Sequence, residues 1–377
     1  MALSRFAFPT TVHFGAGARR IVDEHLRQHG VTRPLIVTDR GLAALPILAE
    51  FRSLLPGVAC EVYSGVHGNP VKSQVDAGVA AYRAHRADAV IGFGGGAALD
   101  VAKAVALMAV HEGDILEYAW DHPQARPIVN PLPHFIALPT TSGTGSEVGR
   151  SSVISHDETH VKKIIFSPAL LAKAVFADPD LTLALPPGVT AATGLDALTH
   201  NVESYLSPAY HPMCDGIALE GARIAARALP LAVREPGNAA ARADMMMASL
   251  MGAVAFQKDL GAVHSCAHAL GTVADMHHGL ANGIMIDHVM RFNADAAGEK
   301  MAELARVCGA GSTEGDFVTW LGRLKREIGI PARLGEAGVS AQQVPALVDV
   351  AVKDTCHLTN PKPCTADDFG RIFANAI

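Results

Sequence analysis

Two pairs of potential metal ligands recur at the same spacing in the second half of the chain. Asp196 and His200 are four residues apart, as are His264 and His268, and His278 follows ten residues later. On a helix, residues four apart project from one face, so both members of a pair can contact one ion. A carboxylate with two or three imidazoles suits a divalent first-row metal such as Fe²⁺, Zn²⁺ or Mn²⁺. The spacing therefore predicts a metal site.

A single Asp-x-x-x-His pattern more often marks a helix cap or a salt-bridged surface pair. Here two pairs at this spacing lie in chain that is otherwise apolar and rich in alanine and glycine, where a buried charge needs a partner. A metal is the better interpretation. The residues alone do not choose among His268, His277 and His278 for the remaining ligand.

Composition restricts the class of protein. The chain has 377 residues, of which 49% are hydrophobic and 18% charged, and its net charge is −6. This balance favours a compact protein of two domains and argues against a partner that is a nucleic acid or an anionic membrane. The six cysteines form no CxxC motif, so neither disulfides nor a zinc-thiolate site is expected. We find no signal-peptide pattern and no uninterrupted apolar stretch of membrane-spanning length, which predicts a cytoplasmic location.

The pattern of predicted secondary structure changes near residue 185. Before it, β-rich runs alternate with helical patterns, which indicates crossover connections and a mainly parallel sheet. After it, helical stretches rich in alanine, leucine and methionine dominate. We predict an α/β domain over residues 1–185 and an all-helical domain over residues 186–377. The β-rich runs are Thr11–Phe14, Pro34–Thr38, Cys60–Tyr63, Ala89–Gly92 and His134–Leu138.

A glycine-rich turn follows the fourth of these runs. It reads Gly92-Phe93-Gly94-Gly95-Gly96-Ala97-Ala98-Leu99-Asp100 and opens a helical pattern. Glycines let the backbone approach a pyrophosphate, and a helix N-terminus offers free N–H groups. The turn predicts a dinucleotide site, although it lies on a later strand than the usual fingerprint. The alternative is a tight strand-to-helix turn without a ligand.

Two further features support a nucleotide site. The first is a polar turn directly after the last run, Pro139-Thr140-Thr141-Ser142-Gly143-Thr144-Gly145-Ser146-Glu147. The second is Asp39, at the carboxyl end of an apolar strand, where an α/β sheet places its ligand crevice. A carboxylate there accepts hydrogen bonds from a ribose and repels a 2′-phosphate, which favours NAD over NADP. The alternative for Asp39 is a helix N-cap.

Together these motifs resemble those of the iron-containing (group III) alcohol dehydrogenases, which have the dehydroquinate-synthase-like fold. The resemblance covers essentially the whole chain. It is carried by Gly-Gly-Gly-x-x-x-Asp at 94–100, the 139–147 turn, Gly-x-Asp-Ala-x-x-His at 194–200 and His-x-x-x-His…His-Gly at 264–279. It implies an N-terminal Rossmann-like nucleotide-binding domain, a C-terminal helical metal-binding domain, and oxidation of an alcohol, or reduction of an aldehyde, with NAD(H).

The resemblance also implies roles for individual residues. The metal, usually Fe²⁺ and in some members Zn²⁺, would be held by Asp196, His200, His264 and His278, with His268 beside the nicotinamide as a proton relay or a positioning group. The implied cofactor-binding residues are Asp39, Gly94, Gly95, Gly96, Ala97, Asp100, Thr140, Thr141, Thr144 and Ser146. Ala97 stands where the family usually has serine, so one phosphate hydrogen bond is either lost or replaced by one from a backbone amide.

Lys258 departs from the family pattern, because members that act on simple diols or alkanols carry small or amide residues there. A cation near the cleft suggests a substrate with an anionic tail, such as an ω-hydroxy acid, a semialdehyde, or a phosphonate or sulfonate aldehyde. The alternatives are a simple alkanol or diol dehydrogenase and a solvated Lys258 paired with Asp259 or Asp275. We treat Lys258 as a candidate catalytic-site residue.

Two other classes of function predict different features of the sequence. A dehydroquinate-synthase-like lyase would also use NAD and a metal, but it should carry more basic residues around its site. A non-catalytic scaffold or filament subunit predicts a degraded ligand set, whereas all four positions are filled. The family also suggests a homodimer or higher homo-oligomer, formed through the edge near Phe8 to Phe14.

Overall fold

The computed structural model describes residues 6–8 and 10–377. Residues 1–5, on which the signal-peptide prediction partly rests, and Pro9, within the predicted oligomer edge, lie outside them. The described chain divides into two compact units. The N-terminal unit comprises residues 10–141 and 145–182, and the C-terminal unit comprises residues 183–377 with residues 6–8 and 142–144.

The N-terminal unit is built on a parallel sheet of six strands in the order β1-β8-β5-β4-β2-β3, with a separate antiparallel pair, β6-β7. The strands are β1 (Thr11–Phe14), β2 (Pro34–Asp39), β3 (Glu61–Val66), β4 (Ala89–Gly94), β5 (His134–Pro139), β6 (Ser151–Ser155), β7 (Lys162–Phe166) and β8 (Ala174–Ala177). Its helices are α1 (Val22–Gln28), α2 (Arg40–Ala43), α3 (Pro46–Ser53), α4 (Lys72–His85) and α5 (Gly96–Met108).

The central strands are apolar on both faces because helices cover both sides of a parallel sheet. Every residue of β4 is buried, and the four residues of β8 are buried as well. Neighbouring strands β2, β4 and β5 run in the same direction, with Val37 opposite Gly92 and Gly94 opposite Pro139. Their carboxyl ends therefore bring three turns to one edge of the sheet, which positions the candidate nucleotide residues. The predicted Rossmann-like class is confirmed.

The C-terminal unit is helical in its described part. Its helices are α6 (Pro187–Leu206), α7 (Pro212–Arg234), α8 (Ala239–Ala255), α9 (Ala262–Ala274), α10 (His278–Val307), α11 (Glu314–Glu327), α12 (Val344–Ala351) and α13 (Ala366–Ala376). Helix α6 is the central one: most of its residues are buried, and it contacts α7, α8 and α10. A long apolar cluster along these helices forms the core of the unit.

The segment Ala239–Lys258 is long and apolar enough to span a membrane by length and composition. It carries Arg242 and Asp244, and 56% of its most apolar window is buried inside the protein. A core helix of a soluble protein passes the same test, so this segment is weak evidence for a membrane helix.

Candidate active site

Three histidine side chains surround one buried carboxylate in the C-terminal unit. Oδ1 of Asp196 lies 3.9 Å from Nε2 of His200, 3.8 Å from Nε2 of His264 and 3.5 Å from Nε2 of His278. In a tetrahedral zinc site with bonds of 2.0–2.2 Å, neighbouring ligand atoms are about 3.4 Å apart. Asp196, His200 and His264 each offer a ligand atom within 4.8 Å of the other two, and His278 joins this set through its 3.5 Å approach to Asp196.

Three helices contribute these side chains. Asp196 and His200 lie one turn apart on α6, His264 is near the start of α9, and His278 is the first residue of α10. Helix α9 ends at Ala274, and Asp275 takes the left-handed conformation with φ of 47°. The predicted break at residues 275–277 therefore turns the chain so that His278 begins a new helix beside α6.

The start of α10 approaches the backbone of α6 so closely that only glycine fits. A Cβ on Gly279 would lie 2.4 Å from the carbonyl oxygen of Ala192. A second close approach occurs at Gly143, where a Cβ would lie 2.8 Å from Cβ of Thr193. Both glycines lie in motifs of the sequence, and Gly279 allows His278 to reach the carboxylate of Asp196.

A second carboxylate orients one of the imidazoles. Glu203 is buried, and its Oε2 lies 2.6 Å from Nδ1 of His264. Because a carboxylate only accepts, Nδ1 of His264 carries the proton and its Nε2 is left with a lone pair facing Asp196. Glu203 also accepts a hydrogen bond of 2.7 Å from the backbone N–H of Val263. Carboxylate–histidine pairs of this kind commonly support metal ligands.

Asn282 is a member of the site that the sequence reasoning missed. Its Nδ2 donates to Oδ1 of Asp196 over 2.7 Å and lies 3.2 Å from Nε2 of His278 and 3.3 Å from Nε2 of His264. Asn282 follows His278 by four residues on α10, so the spacing that identified the two ligand pairs would also have found it.

The imidazole ring of His200 is uncharged near pH 7. Burial lowers the pKa of His200 to about 4, although the charge of Asp196 acts in the opposite direction. The ring of Phe256 packs against that of His200, with ring centroids 5.2 Å apart. A neutral imidazole is the form that binds a metal.

His268 lies beside the four groups but has a different partner. Its ring centroid is 5.4 Å from that of His278, and its Nδ1 lies 2.7 Å from Oδ2 of Asp354. The other oxygen of Asp354 accepts from Oγ of Ser265 over 2.7 Å. Burial by itself raises the pKa of Asp354, but the attraction of His268 and these hydrogen bonds outweigh it and hold the pKa well below its ordinary value.

Lys258 is buried rather than solvated. Its ammonium donates to the carboxylate of Asp215 and to the carbonyl oxygen of Tyr205, near the end of α6. The predicted alternative pairing with Asp259 or Asp275 is therefore wrong. Lys300 donates to the same carbonyl over 2.6 Å, and burial together with the charge of Lys258 lowers the pKa of Lys300 to about 8. The positive charge of Lys258 is therefore already paired with Asp215 near the end of α6. These contacts do not support its predicted role at the substrate.

The N-terminal unit carries the glycine turn predicted to bind the nucleotide. Gly95 is the N-cap of α5, and Gly94 has φ of 157° with Cβ of Ala98 only 2.6 Å from where its own Cβ would be. The turn contacts Thr141 and lies beside Oδ2 of Asp39. Oδ1 of Asp39 accepts from the N–H of Leu42 over 2.8 Å. Asp39 is thus the N-cap of α2, with its second oxygen facing the turn.

Three of the predicted cofactor residues, Asp100, Ser146 and Thr144, lie outside the run of three glycines at residues 94–96. Asp100 accepts from Oγ of Ser146 over 2.6 Å and from the N–H of Val153 over 3.0 Å. Oγ of Ser146 also accepts from Nζ of the buried Lys103, which sequence reasoning did not single out. Asp100 and Ser146 therefore join α5 to the polar turn. Thr144 belongs to the C-terminal unit, whereas Gly96, Ala97 and Thr140 lie at the carboxyl ends of β4 and β5.

The fold and these sites define a class: a Rossmann-like unit with a glycine turn and a helical unit with a carboxylate and imidazoles that fit a divalent metal. The model of the family "Iron-containing alcohol dehydrogenase" matches residues 9–179, and the model of its C-terminal family matches residues 190–377. The chain belongs to the iron-containing alcohol dehydrogenase family, and it is an oxidoreductase of that type.

Similar proteins share the full length of the chain. It is 36% identical to the 4-hydroxybutyrate dehydrogenase of Cupriavidus necator, with 98% of each chain covered. Among solved structures, 1,3-propanediol oxidoreductase superposes with a TM-score of 0.94 at 35% identity, covering 99% of this chain and 100% of that one. The sulfoacetaldehyde reductase of Bifidobacterium kashiwanohense, solved in complex with NAD⁺, has a TM-score of 0.90 at 29% identity, covering 100% and 99%.

Proposed function

We propose that this chain is an NAD(H)-dependent, metal-dependent alcohol dehydrogenase and aldehyde reductase for small substrates. In this proposal Asp196, His200, His264 and His278 hold the metal, which is Fe²⁺ or Zn²⁺. The observation that carries it is the convergence of three Nε2 atoms on Oδ1 of Asp196 within 3.5–3.9 Å. Residues 1–185 then form the NAD-binding domain and residues 186–377 the catalytic domain.

The bound metal would supply Lewis acidity toward the oxygen of the alcohol or aldehyde, and the nicotinamide would accept or donate the hydride. The residues of the chain prepare for this chemistry. Glu203 fixes the tautomer of His264, and Asn282 holds the carboxylate of Asp196 through a 2.7 Å hydrogen bond. Burial of Asp196 and His264 excludes bulk water from their side of the centre.

His268 is the proposed group for moving or orienting a proton near the reacting oxygen. The carboxylate of Asp354 only accepts, so Nδ1 of His268 carries the proton and its Nε2 is free to take part in a second hydrogen bond. His268 is only partly buried, with 19% of its side chain exposed, which suits a group that exchanges protons with substrate or water.

The proposed cofactor is NAD(H) rather than NADP(H). Asp39 ends β2 beside the glycine turn, with Oδ2 directed at Gly94. A carboxylate in that place accepts from a ribose hydroxyl and repels an added 2′-phosphate. The free N–H groups at the start of α5 suit the pyrophosphate.

The proposed substrates are short alcohols and aldehydes that carry a second polar group. Similar proteins are named for a hydroxy acid, a diol and a sulfonated aldehyde. Lys258 as the anchor of an anionic tail stays a prediction. Because its ammonium already pairs with Asp215, an acidic substrate would need another cation.

The proposal is tested by stripping the protein of metal, reloading it with Fe²⁺ or Zn²⁺, and following the oxidation of NADH and NADPH. The substrates are propionaldehyde, 3-hydroxypropionaldehyde and succinate semialdehyde. We expect metal-dependent activity with NADH. A preference for succinate semialdehyde that disappears in Lys258→Met, with propionaldehyde unaffected, would restore the anion-tail hypothesis. Absence of activity with either metal and either cofactor would contradict the proposed function.

Two properties of the whole protein remain proposals. We expect a cytoplasmic enzyme that forms a homodimer or higher homo-oligomer. Among the described residues strand β1 pairs only with β8, at an edge of the six-stranded sheet, so its other side could pair with a second copy. Light scattering of the purified protein measures this state directly.

A further inference from the structure

A second cluster of imidazoles lies in the N-terminal unit, on residues that the proposed function does not use. His25 is on α1, His29 follows this helix directly as its C-cap, and His134 is the first residue of β5. One ring nitrogen from each lies within 4.8 Å of the other two. The rings of His25 and His29 are 4.2 Å apart, and those of His29 and His134 are 4.5 Å apart.

The donor atoms are close to the geometry of a metal site. Nε2 of His25 and Nε2 of His134 are 3.0 Å apart and share a hydrogen bond, whose proton a bound ion would displace. Two nitrogens on a tetrahedral zinc ion are about 3.3 Å apart, since each Zn–N bond is about 2.0–2.1 Å long. A ring nitrogen of His29 lies within 4.8 Å of those of His25 and His134, so a small shift of the rings would complete a three-nitrogen set.

A backbone carbonyl prepares His29 as a ligand. Nδ1 of His29 lies 2.8 Å from the carbonyl oxygen of His25, which can only accept. Nδ1 therefore carries the proton, and Nε2 keeps the lone pair that a metal needs. A hydrogen bond from the other ring nitrogen to a carbonyl is the usual support of a metal-binding histidine.

The surroundings allow an ion to enter. His29 is exposed, and His25 and His134 are half-buried. Phe176 packs edge-on against His25, with ring centroids 5.3 Å apart. Burial and the neighbouring imidazoles lower the pKa of His134 to about 4, so this ring is neutral near pH 7; Lys173 acts in the same direction and is a nearby cation that an ion must tolerate.

We propose that His25, His29 and His134 form a second metal site, which binds Zn²⁺ through three imidazoles and leaves a fourth position to water. Imidazole ligands select Zn²⁺ and related transition metals over Mg²⁺ or Ca²⁺. The site joins the end of α1 to the start of β5. It lies at the amino end of its strand, whereas the glycine turn lies at the carboxyl ends, so its role is structural: it ties a helix to the sheet.

The test is Zn²⁺ binding to full-length, metal-stripped protein, measured by titration calorimetry and by metal analysis after gel filtration. Wild type should bind Zn²⁺ at two sites per chain. His29→Gln should lose one of them, with affinity there reduced at least about tenfold. The control is His122→Gln, an exposed histidine of the same unit, which should keep both sites. Circular dichroism checks that the variants fold.

A second measurement separates this site from the catalytic centre. In His264→Gln, which removes a proposed catalytic ligand, Zn²⁺ should still raise the unfolding temperature, and adding His29→Gln should abolish that rise. If His29→Gln and His134→Gln bind as much Zn²⁺ as wild type with the same affinity, the proposed site is wrong. If His264→Gln loses the other Zn²⁺ ion per chain, that result concerns only the catalytic centre.

Discussion

At the scale of single residues, the candidate metal centre depends on groups that stand behind its ligands. Oδ1 of Asp196 is within 3.5–3.9 Å of three imidazoles, and Asn282 and Glu203 hold the carboxylate and His264 in place. Such supporting residues set the direction of each lone pair before an ion arrives. They should therefore control metal affinity without binding the metal themselves.

Replacing Glu203 with glutamine tests this support. The amide can no longer hold the tautomer of His264 as a charged acceptor does, so we expect metal affinity to fall about 10–100-fold. Competition with a chromophoric chelator measures the change. Glu220→Gln is the control, because Glu220 is an exposed residue of α7 that pairs with Arg223. An unchanged affinity in Glu203→Gln would contradict the role given to this carboxylate.

His264 and His268 lie four residues apart on one face of α9, yet they have different partners, Glu203 and Asp354. Because His268 pairs with Asp354, we expect His268→Gln to keep its metal and to lose at least about tenfold in kcat, a typical contribution of a proton-transferring group being about 10²–10⁴-fold. His264→Gln should lose the metal. Metal analysis of both purified variants decides, and loss of metal from His268→Gln would make His268 a ligand.

At the scale of elements, the site depends on how closely helices α6 and α10 approach. The contact is made by backbone atoms at Gly279 and Ala192, and it places His278 at the first turn of α10. A larger residue would force the two helices apart and carry His278 away from Asp196. Helix packing and metal affinity are thus coupled at one glycine.

Gly279→Ala should reveal this coupling. Its Cβ would lie 2.4 Å from the carbonyl oxygen of Ala192, so we expect a loss of about 1–3 kcal/mol in the free energy of unfolding, together with weaker metal binding. Gly298→Ala on the same helix meets no atom within 4 Å and should be neutral or slightly stabilising. Denaturant titrations of the two metal-free variants measure their free energies of unfolding. Equal stability of the two would contradict the steric account.

The sequence predicted the parallel sheet and the position of the glycine turn because both leave local patterns. Strands β1 to β5 overlap their predicted runs, differing by a few residues at the ends. Strand β8 and the β6-β7 pair were missed, since Ala174–Ala177 is short and shows no alternation to set it apart from a buried helix. Long-range partners were likewise invisible: nothing local joins Lys258 to Asp215, or His268 to Asp354.

At the scale of the whole molecule, the net charge of −6 does not show that several ionisable groups are buried together in the N-terminal unit. Lys103 donates to the carbonyl oxygens of Ser146 and Ser151 and lies 3.7 Å from Asp100. Burial lowers the pKa of Lys103 and raises that of Asp100, each partly offset by the other's charge. The same surroundings enclose Glu147, and burial raises its pKa to about 7.

Glu147 should make stability depend on pH. Its ordinary pKa is 4.5, so between pH 4.5 and about 7 the folded protein keeps a proton that the unfolded chain releases. Stability therefore falls as the pH rises through this range, by about 3 kcal/mol at most, since one pKa unit is about 1.4 kcal/mol. Glu147→Gln should flatten this fall, whereas the exposed Glu158→Gln should not. Unfolding temperatures at pH 5, 6, 7 and 8 measure it, and identical profiles would contradict the prediction.

The central claim is that Asp196 and the three imidazoles around it hold the metal on which alcohol and aldehyde chemistry depends. The most direct measurement is an anaerobic titration of metal-free protein with Fe²⁺, with NADH oxidation by propionaldehyde as the readout. We predict that the rate is negligible without metal, rises with added Fe²⁺ and reaches a plateau, and that His264→Gln stays inactive throughout. Full activity in metal-free wild type, or a wild-type plateau in His264→Gln, would contradict the account.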